Sequence, residues 1–149
     1  MTDVLTQSAA GSPPAVAVRA IDISKTYGKG EAQVRALDGV SVEFAPGQFT
    51  AIMGPSGSGK STLMHTMAGL DVIDTGTIVL GDVDITGLNE KKLTLLRRDK
   101  VGFVFQAFNL VPTLTALENI TLPMDLAGRK PDPAWLDTVV GIVGLKDRL

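Results

Sequence analysis

The sequence predicts an α/β fold, and three local patterns lead to that prediction. A short apolar run, Phe49–Met53, passes directly into a glycine-rich segment, Gly54–Lys60. A helical pattern then begins at Ser61, with Leu63, Met64, Met67 and Ala68 on its apolar side. Further on, Thr77–Leu80 and Val83–Ile85 flank Gly81-Asp82, which reads as a β-hairpin.

Composition sets the outer bounds. The chain has 149 residues, 44% of them hydrophobic and 20% charged, as expected of a globular domain able to bury a core. Its longest stretch without polar side chains is Val139–Leu145, far short of the ~20 residues that a membrane helix needs. The net charge of −2 argues against a dedicated nucleic-acid binder. The absence of cysteine excludes a disulfide framework, thiolate zinc sites and a cysteine nucleophile, and a single histidine, His65, argues against His-rich metal sites and most His-dependent triads. Residues 1–18 carry no Lys or Arg, so no secretory signal is expected and a soluble, cytoplasmic chain is.

Residues 1–14 (MTDVLTQSAAGSPP) read as a disordered leader, with the domain occupying 15–149. A first strand is expected from Ala15, where Val16, Val18 and Ala20 alternate with less apolar neighbours, up to the turn Tyr27-Gly28-Lys29-Gly30. A second fits Val40–Phe44, and a third, of the kind buried on both faces, fits Phe49–Met53. The helix from Ser61 should stop near Gly69, and His65 on it is expected to be a partly buried structural residue. Asn89 can cap a helix running to about Asp99, and Val101–Phe105 reads as another strand. Thr115 and Glu118 have the spacing of a capping box, with Pro123 expected to kink or end the helix that follows. Asp132-Pro133 opens a last helix through Val143, stopped by Gly144.

The chemistry is concentrated at Gly54-Pro55-Ser56-Gly57-Ser58-Gly59-Lys60-Ser61, which fits G-x-x-x-x-G-K-[ST]. Glycines let successive backbone N–H groups turn inward around phosphate oxygens, and the helix N-terminus adds its positive end. Lys60 supplies a mobile cation for the β and γ oxygens, and the Ser61 hydroxyl is a ligand for Mg²⁺. The apolar run before the loop and the helix after it are the context that this motif requires. The dinucleotide fingerprint is not met, because no further glycine follows Gly59 at the needed spacing.

The residues around the loop narrow the reading. Val34–Phe44 followed by Pro46-Gly47-Gln48 and the loop resembles the opening strands of the ATP-binding subunits of ABC transporters. Asp74–Ile78 with Gly81–Ile85 is similar to that family's next hairpin, and Gly102–Gln106 to the segment ending in its glutamine loop. Phe108–Pro112, Glu118-Asn119-Ile120 and Leu122-Pro123 resemble the branch that energises lipoprotein release and macrolide export.

The resemblance implies a P-loop NTPase core sheet, an antiparallel β subdomain and the start of a helical subdomain, C-terminally truncated. In it Phe49–Met53 is a central strand, with neighbours encoded after position 149. It further implies that Tyr27 stacks on adenine and that Gly54, Pro55, Ser56, Gly57, Ser58, Gly59, Lys60, Ser61 and Thr62 hold the phosphates of ATP. Gln106 joins Ser61 at Mg²⁺ and senses the γ-phosphate. The partners implied are a membrane permease and a second ATP-binding subunit, with no nucleic acid, on the inner face of the plasma membrane.

Three family features have no counterpart within these residues: the Leu-Ser-Gly-Gly-Gln signature, an apolar strand ending in Asp-Glu (Walker B), and a switch histidine. Nucleotide binding without efficient hydrolysis is therefore expected of this chain. Two alternatives remain at this point. A small-molecule P-loop kinase would need an arginine-rich lid, whereas Arg97 and Arg98 fall in a predicted helix. A non-catalytic nucleotide-binding module is the other. The run Glu90–Lys100 reads as a solvated helix face, Phe103, Phe105 and Phe108 as core and loop anchors, and Asp71, Asp74, Asp82 and Asp84 as turn residues.

Overall fold

A computed structural model describes residues 16–105 and 107–149; the predicted leader and Gln106 lie outside the described residues. The chain divides into two compact units, Met1–Asn89 and Glu90–Leu149.

The first unit is an antiparallel sheet carrying one helix. Its strands are β1 (Val18–Tyr27), β2 (Val34–Phe44), β3 (Thr75–Leu80) and β4 (Val83–Asp84), ordered β2-β1-β3-β4. Helix α1 (Lys60–Met67) packs on β1, β2 and β3. Ala20 and Ile23 on β1, Leu37 on β2, Ile78 on β3, and Thr66 and Met67 on α1 are all buried. Thr66 satisfies its buried hydroxyl by donating to the Leu63 carbonyl at 3.0 Å.

Strict alternation would set Ala20 and Ile23 on opposite faces. The pairing of β1 with β2 slips between these two residues, at Asp22, whose φ is +50°. This bulge resets the phase so that both side chains are buried, and the Asp22 amide finds the Ser41 hydroxyl at 2.8 Å. The bulge presses on β3 at Gly76, where φ is +95° and a Cβ would overlap the Ile21 and Asp22 carbonyls. Only glycine lets the strands close there. The predicted hairpin is present, with Gly81 at φ +62° between β3 and β4.

The second unit contains α2 (Glu90–Lys100), α3 (Ala116–Leu126) and α4 (Pro133–Ile142). Helix α3 opens on the predicted capping box: Glu118 N donates to Thr115 Oγ1 at 3.2 Å, and Thr115 N to Glu118 Oε2 at 2.7 Å. Asp132 caps α4 by accepting from Trp135 N at 2.9 Å, and Gly144 follows it at φ +71°. Asn119 pins the preceding loop to α3, its amide reaching the Val111, Leu114 and Thr115 carbonyls while its Oδ1 accepts from Val111 N.

Some local expectations are corrected. Phe49–Met53 and Val101–Phe105 form no strand, and Phe49, Met53 and Val104 are almost fully exposed. A strand is completed by a neighbour, and no described strand pairs with either run. Of the two outcomes expected at Pro123, a kink or an end, the second does not occur: α3 continues through it to Leu126. His65 is exposed rather than partly buried. Phe103 and Phe105 stack with ring centroids 5.2 Å apart, while Phe108 is exposed.

No helix of the described residues is long and apolar enough to cross a membrane. Thr115→Ala removes one half of the capping box, a loss of about 1 kcal/mol. Hydrogen exchange of the first-turn amides of α3 should accelerate by about fivefold, with β1 unaffected.

Candidate nucleotide-binding site

The glycine-rich loop lies between β2 and α1 and turns into the helix at Gly59, which stands at the N-cap position with φ +84°. A Cβ at Gly59 would overlap the Ala36 carbonyl and crowd Leu37 at 3.3 Å, so the loop rests directly on the β2 backbone. Gly57, by contrast, faces open space. Lys60 folds back over the loop, its Nζ donating to the Pro55 carbonyl at 2.6 Å and to Ser58 Oγ at 3.3 Å. Ser58 N also reaches the Pro55 carbonyl, at 3.3 Å, which closes the turn.

A cavity of about 390 Å³ opens on this loop, within the ~300–1,000 Å³ usual for ligand clefts. It is lined by Ser56 through Thr62 of the loop and helix start and by Tyr27, Val34 and Ala36 of the strands. The structure thus brings Tyr27 and seven of the loop residues together. Gly54 and Pro55 shape the loop from outside that lining. Arg97 and Arg98 lie within α2.

Tyr27 closes β1 and is 41% exposed, leaving ring surface open to a ligand. Its hydroxyl donates to Asp71 Oδ2 at 2.5 Å. Lys25, two residues earlier on β1, pairs with Asp71 Oδ1 at 3.2 Å, donates to the Val72 carbonyl, and sets its Nζ 5.1 Å from the Tyr27 ring centroid. The hydrogen bond to Asp71 holds the Tyr27 phenol above the ordinary tyrosine range, with burial adding to it and the Thr62 hydroxyl and Lys25 opposing it. The same bond holds the Asp71 carboxyl below the ordinary range. The tie therefore operates across the neutral range: it is lost as pH falls through the lowered Asp71 value or rises through the raised Tyr27 value.

Reading the sequence placed Asp71 among turn residues and passed over Lys25. The available signal is the position of Lys25 two residues before Tyr27; the register of β1 is irregular between them, and the Nζ-to-ring distance rather than strand alternation shows that they meet.

A G-x-x-x-x-G-K-S loop running straight into a helix, in an α/β chain, defines a P-loop NTPase. Within that class the chain belongs to the ABC transporter family, whose family model matches residues 37–149. It is 44% identical over 131 residues to an uncharacterized ABC transporter ATP-binding protein of Thermotoga maritima, covering 87% of this chain and 56% of that one. A macrolide export ATP-binding/permease protein, MacB of Marinobacter nauticus, is 43% identical over 130 residues, 86% of this chain and 20% of its own length. Among solved structures, the ATP-binding cassette MJ0796, a dimer in a post-hydrolysis state bound to ADP and Pi, matches with a TM-score of 0.71 and 43% identity. That match covers 77% of this chain and 50% of the cassette. The chain thus spans about half the length of the single-cassette relatives.

Gly59→Ala forces φ > 0 on a residue with a Cβ and drives that carbon into the Ala36 carbonyl. A loss of about 1–3 kcal/mol is expected, read as a lower denaturation midpoint of the Tyr27 signal.

Proposed function

We propose that this chain is the nucleotide-binding portion of an ABC transporter subunit, holding ATP with Mg²⁺ to power transport across the cytoplasmic membrane through a separate permease. One observation carries the reading: the partly exposed ring of Tyr27 and the lysine-bearing glycine-rich loop line the same cavity. Adenine would stack on Tyr27, and the triphosphate would lie along the backbone N–H groups from Gly57 to Thr62 at the N-terminus of α1. Lys60 is within reach of the loop and would exchange its contacts with Pro55 and Ser58 for phosphate oxygens.

The Ser61 hydroxyl at the start of α1 is an oxygen donor suited to Mg²⁺, a hard cation that takes oxygen ligands beside phosphates, and the family resemblance would add the amide oxygen of Gln106. The metal would neutralise charge on the phosphates when bound. The bound nucleotide of the MJ0796 cassette and its dimeric state support ATP as the ligand and a second ATP-binding subunit as a partner. The pairing of ATP-binding and permease functions in the name of MacB supports a permease as partner, against which this chain would sit on the inner face of the plasma membrane.

These residues bind and orient, but none is placed to take a proton from an attacking water. The 149 residues contain no Leu-Ser-Gly-Gly-Gln signature and no apolar strand ending in Asp-Glu. Binding without efficient turnover is the behaviour proposed for this polypeptide.

Lys60→Ala removes a charge that addresses only the β and γ phosphates. Calorimetry should show ATP affinity reduced by about 10- to 100-fold, with adenosine unaffected. Equal losses for both ligands would refute the phosphate-loop reading. The unaltered chain should release phosphate from ATP no faster than Lys60→Ala; sustained release abolished by that substitution would require a base not identified among these residues.

A further inference from the structure

The tie between Tyr27 and Asp71 joins parts of the fold that the loop chemistry does not require to meet. Asp71 lies beyond the C-terminal end of α1, and Tyr27 ends β1. The Asp71 carboxylate accepts three donors: the Tyr27 hydroxyl, Lys25 Nζ and, at 2.7 Å, the Val72 amide. The Lys25 side chain is only 13% exposed, so its ammonium is held against Asp71 and the Val72 carbonyl rather than reaching into solvent.

We propose that Asp71 and Lys25 are positioning residues for the nucleotide base, locking the Tyr27 ring in one orientation so that it offers the base a preformed platform. The inference rests on the reading of Tyr27 as the adenine platform and adds the residues that set its geometry. A tyrosine at a strand end beside a turn has several rotamers open to it, and a base that stacks on one of them must first exclude the others. The hydrogen bond from the phenol to Asp71 makes that selection before ligand arrives. Lys25 adds a sidedness: its ammonium occupies one face of the ring, leaving the opposite face for the base. Because Asp71 follows the helix that opens at the phosphate loop, both ends of α1 take part, one at the phosphates and the other at the base platform.

The test uses the 149-residue chain and two ligands, ATP and inorganic tripolyphosphate, which lacks a base. Asp71→Asn and Lys25→Gln should each weaken ATP binding by about three- to tenfold and leave tripolyphosphate binding unchanged, by calorimetry. Tyr27→Ala should show a larger loss with the same selectivity. Tyr27 is the only tyrosine, so phenolate absorbance reports it alone even without ligand. Asp71 and Lys25 are the charged groups facing the phenol, beside the Thr62 hydroxyl. Asp71→Asn should lower the phenol pKa and Lys25→Gln should raise it, although both weaken ATP binding.

If Tyr27→Ala loses ATP selectively while Asp71→Asn and Lys25→Gln bind as the unaltered chain does, the platform stands and the positioning role is refuted. Equal loss of ATP and tripolyphosphate in the Asp71 and Lys25 variants would mark a merely structural tie and would also refute it. If Tyr27→Ala leaves both affinities intact, the platform reading fails and the inference falls with it.

Discussion

The first unit depends on one close approach, the backbone of Gly59 against the carbonyl of Ala36. It seats the phosphate loop on β2, starts α1 at Lys60, and thereby fixes the direction in which the loop and its lysine face. Side-chain packing then follows: once α1 leaves Gly59 in that direction, Thr66 and Met67 are carried to the sheet and buried with the strand residues. The site and the core share this single backbone contact. A residue type that looks permissive in sequence is here a strict requirement, because the space that a Cβ would occupy is already filled by main chain.

What could be read from the sequence was local. The capping box at Thr115 and Glu118, the Asp132-Pro133 helix start, the hairpin at Gly81 and the phosphate loop are each decided within a few residues, and each is where it was expected. What could not be read depends on partners. Phe49–Met53 and Val101–Phe105 have the composition of buried strands, but composition supplies no hydrogen-bonding neighbour, and among the described residues neither run acquires one. The burial of both Ala20 and Ile23 was hidden because a bulge at Asp22 changes the phase within the strand. Asp71 was read as a turn residue because the atoms it meets are 44 positions away in sequence.

The cavity shows how a small number of strand, loop and helix positions divide recognition. The loop wall is backbone and short polar side chains, suited to anionic oxygens of any nucleotide. The strand residues Tyr27, Val34 and Ala36 of the lining are suited to a flat apolar surface. Lys60 is held by Pro55 and Ser58 within the loop. In the proposed reading, charge recognition and base recognition rest on different elements, the loop with α1 and the end of β1.

The division into two compact units has a thermodynamic consequence. The only tyrosine, Tyr27, belongs to the first unit, and the only tryptophan, Trp135, to the second. Each unit thus carries its own intrinsic fluorophore, and emission from each chromophore reports on one unit. A polypeptide of this kind has no single unfolding free energy unless the two transitions coincide. A nucleotide held by the loop stabilises the unit that Tyr27 reports by an amount that grows with the logarithm of its concentration, and the Trp135 curve reads how much of that stabilisation reaches the second unit.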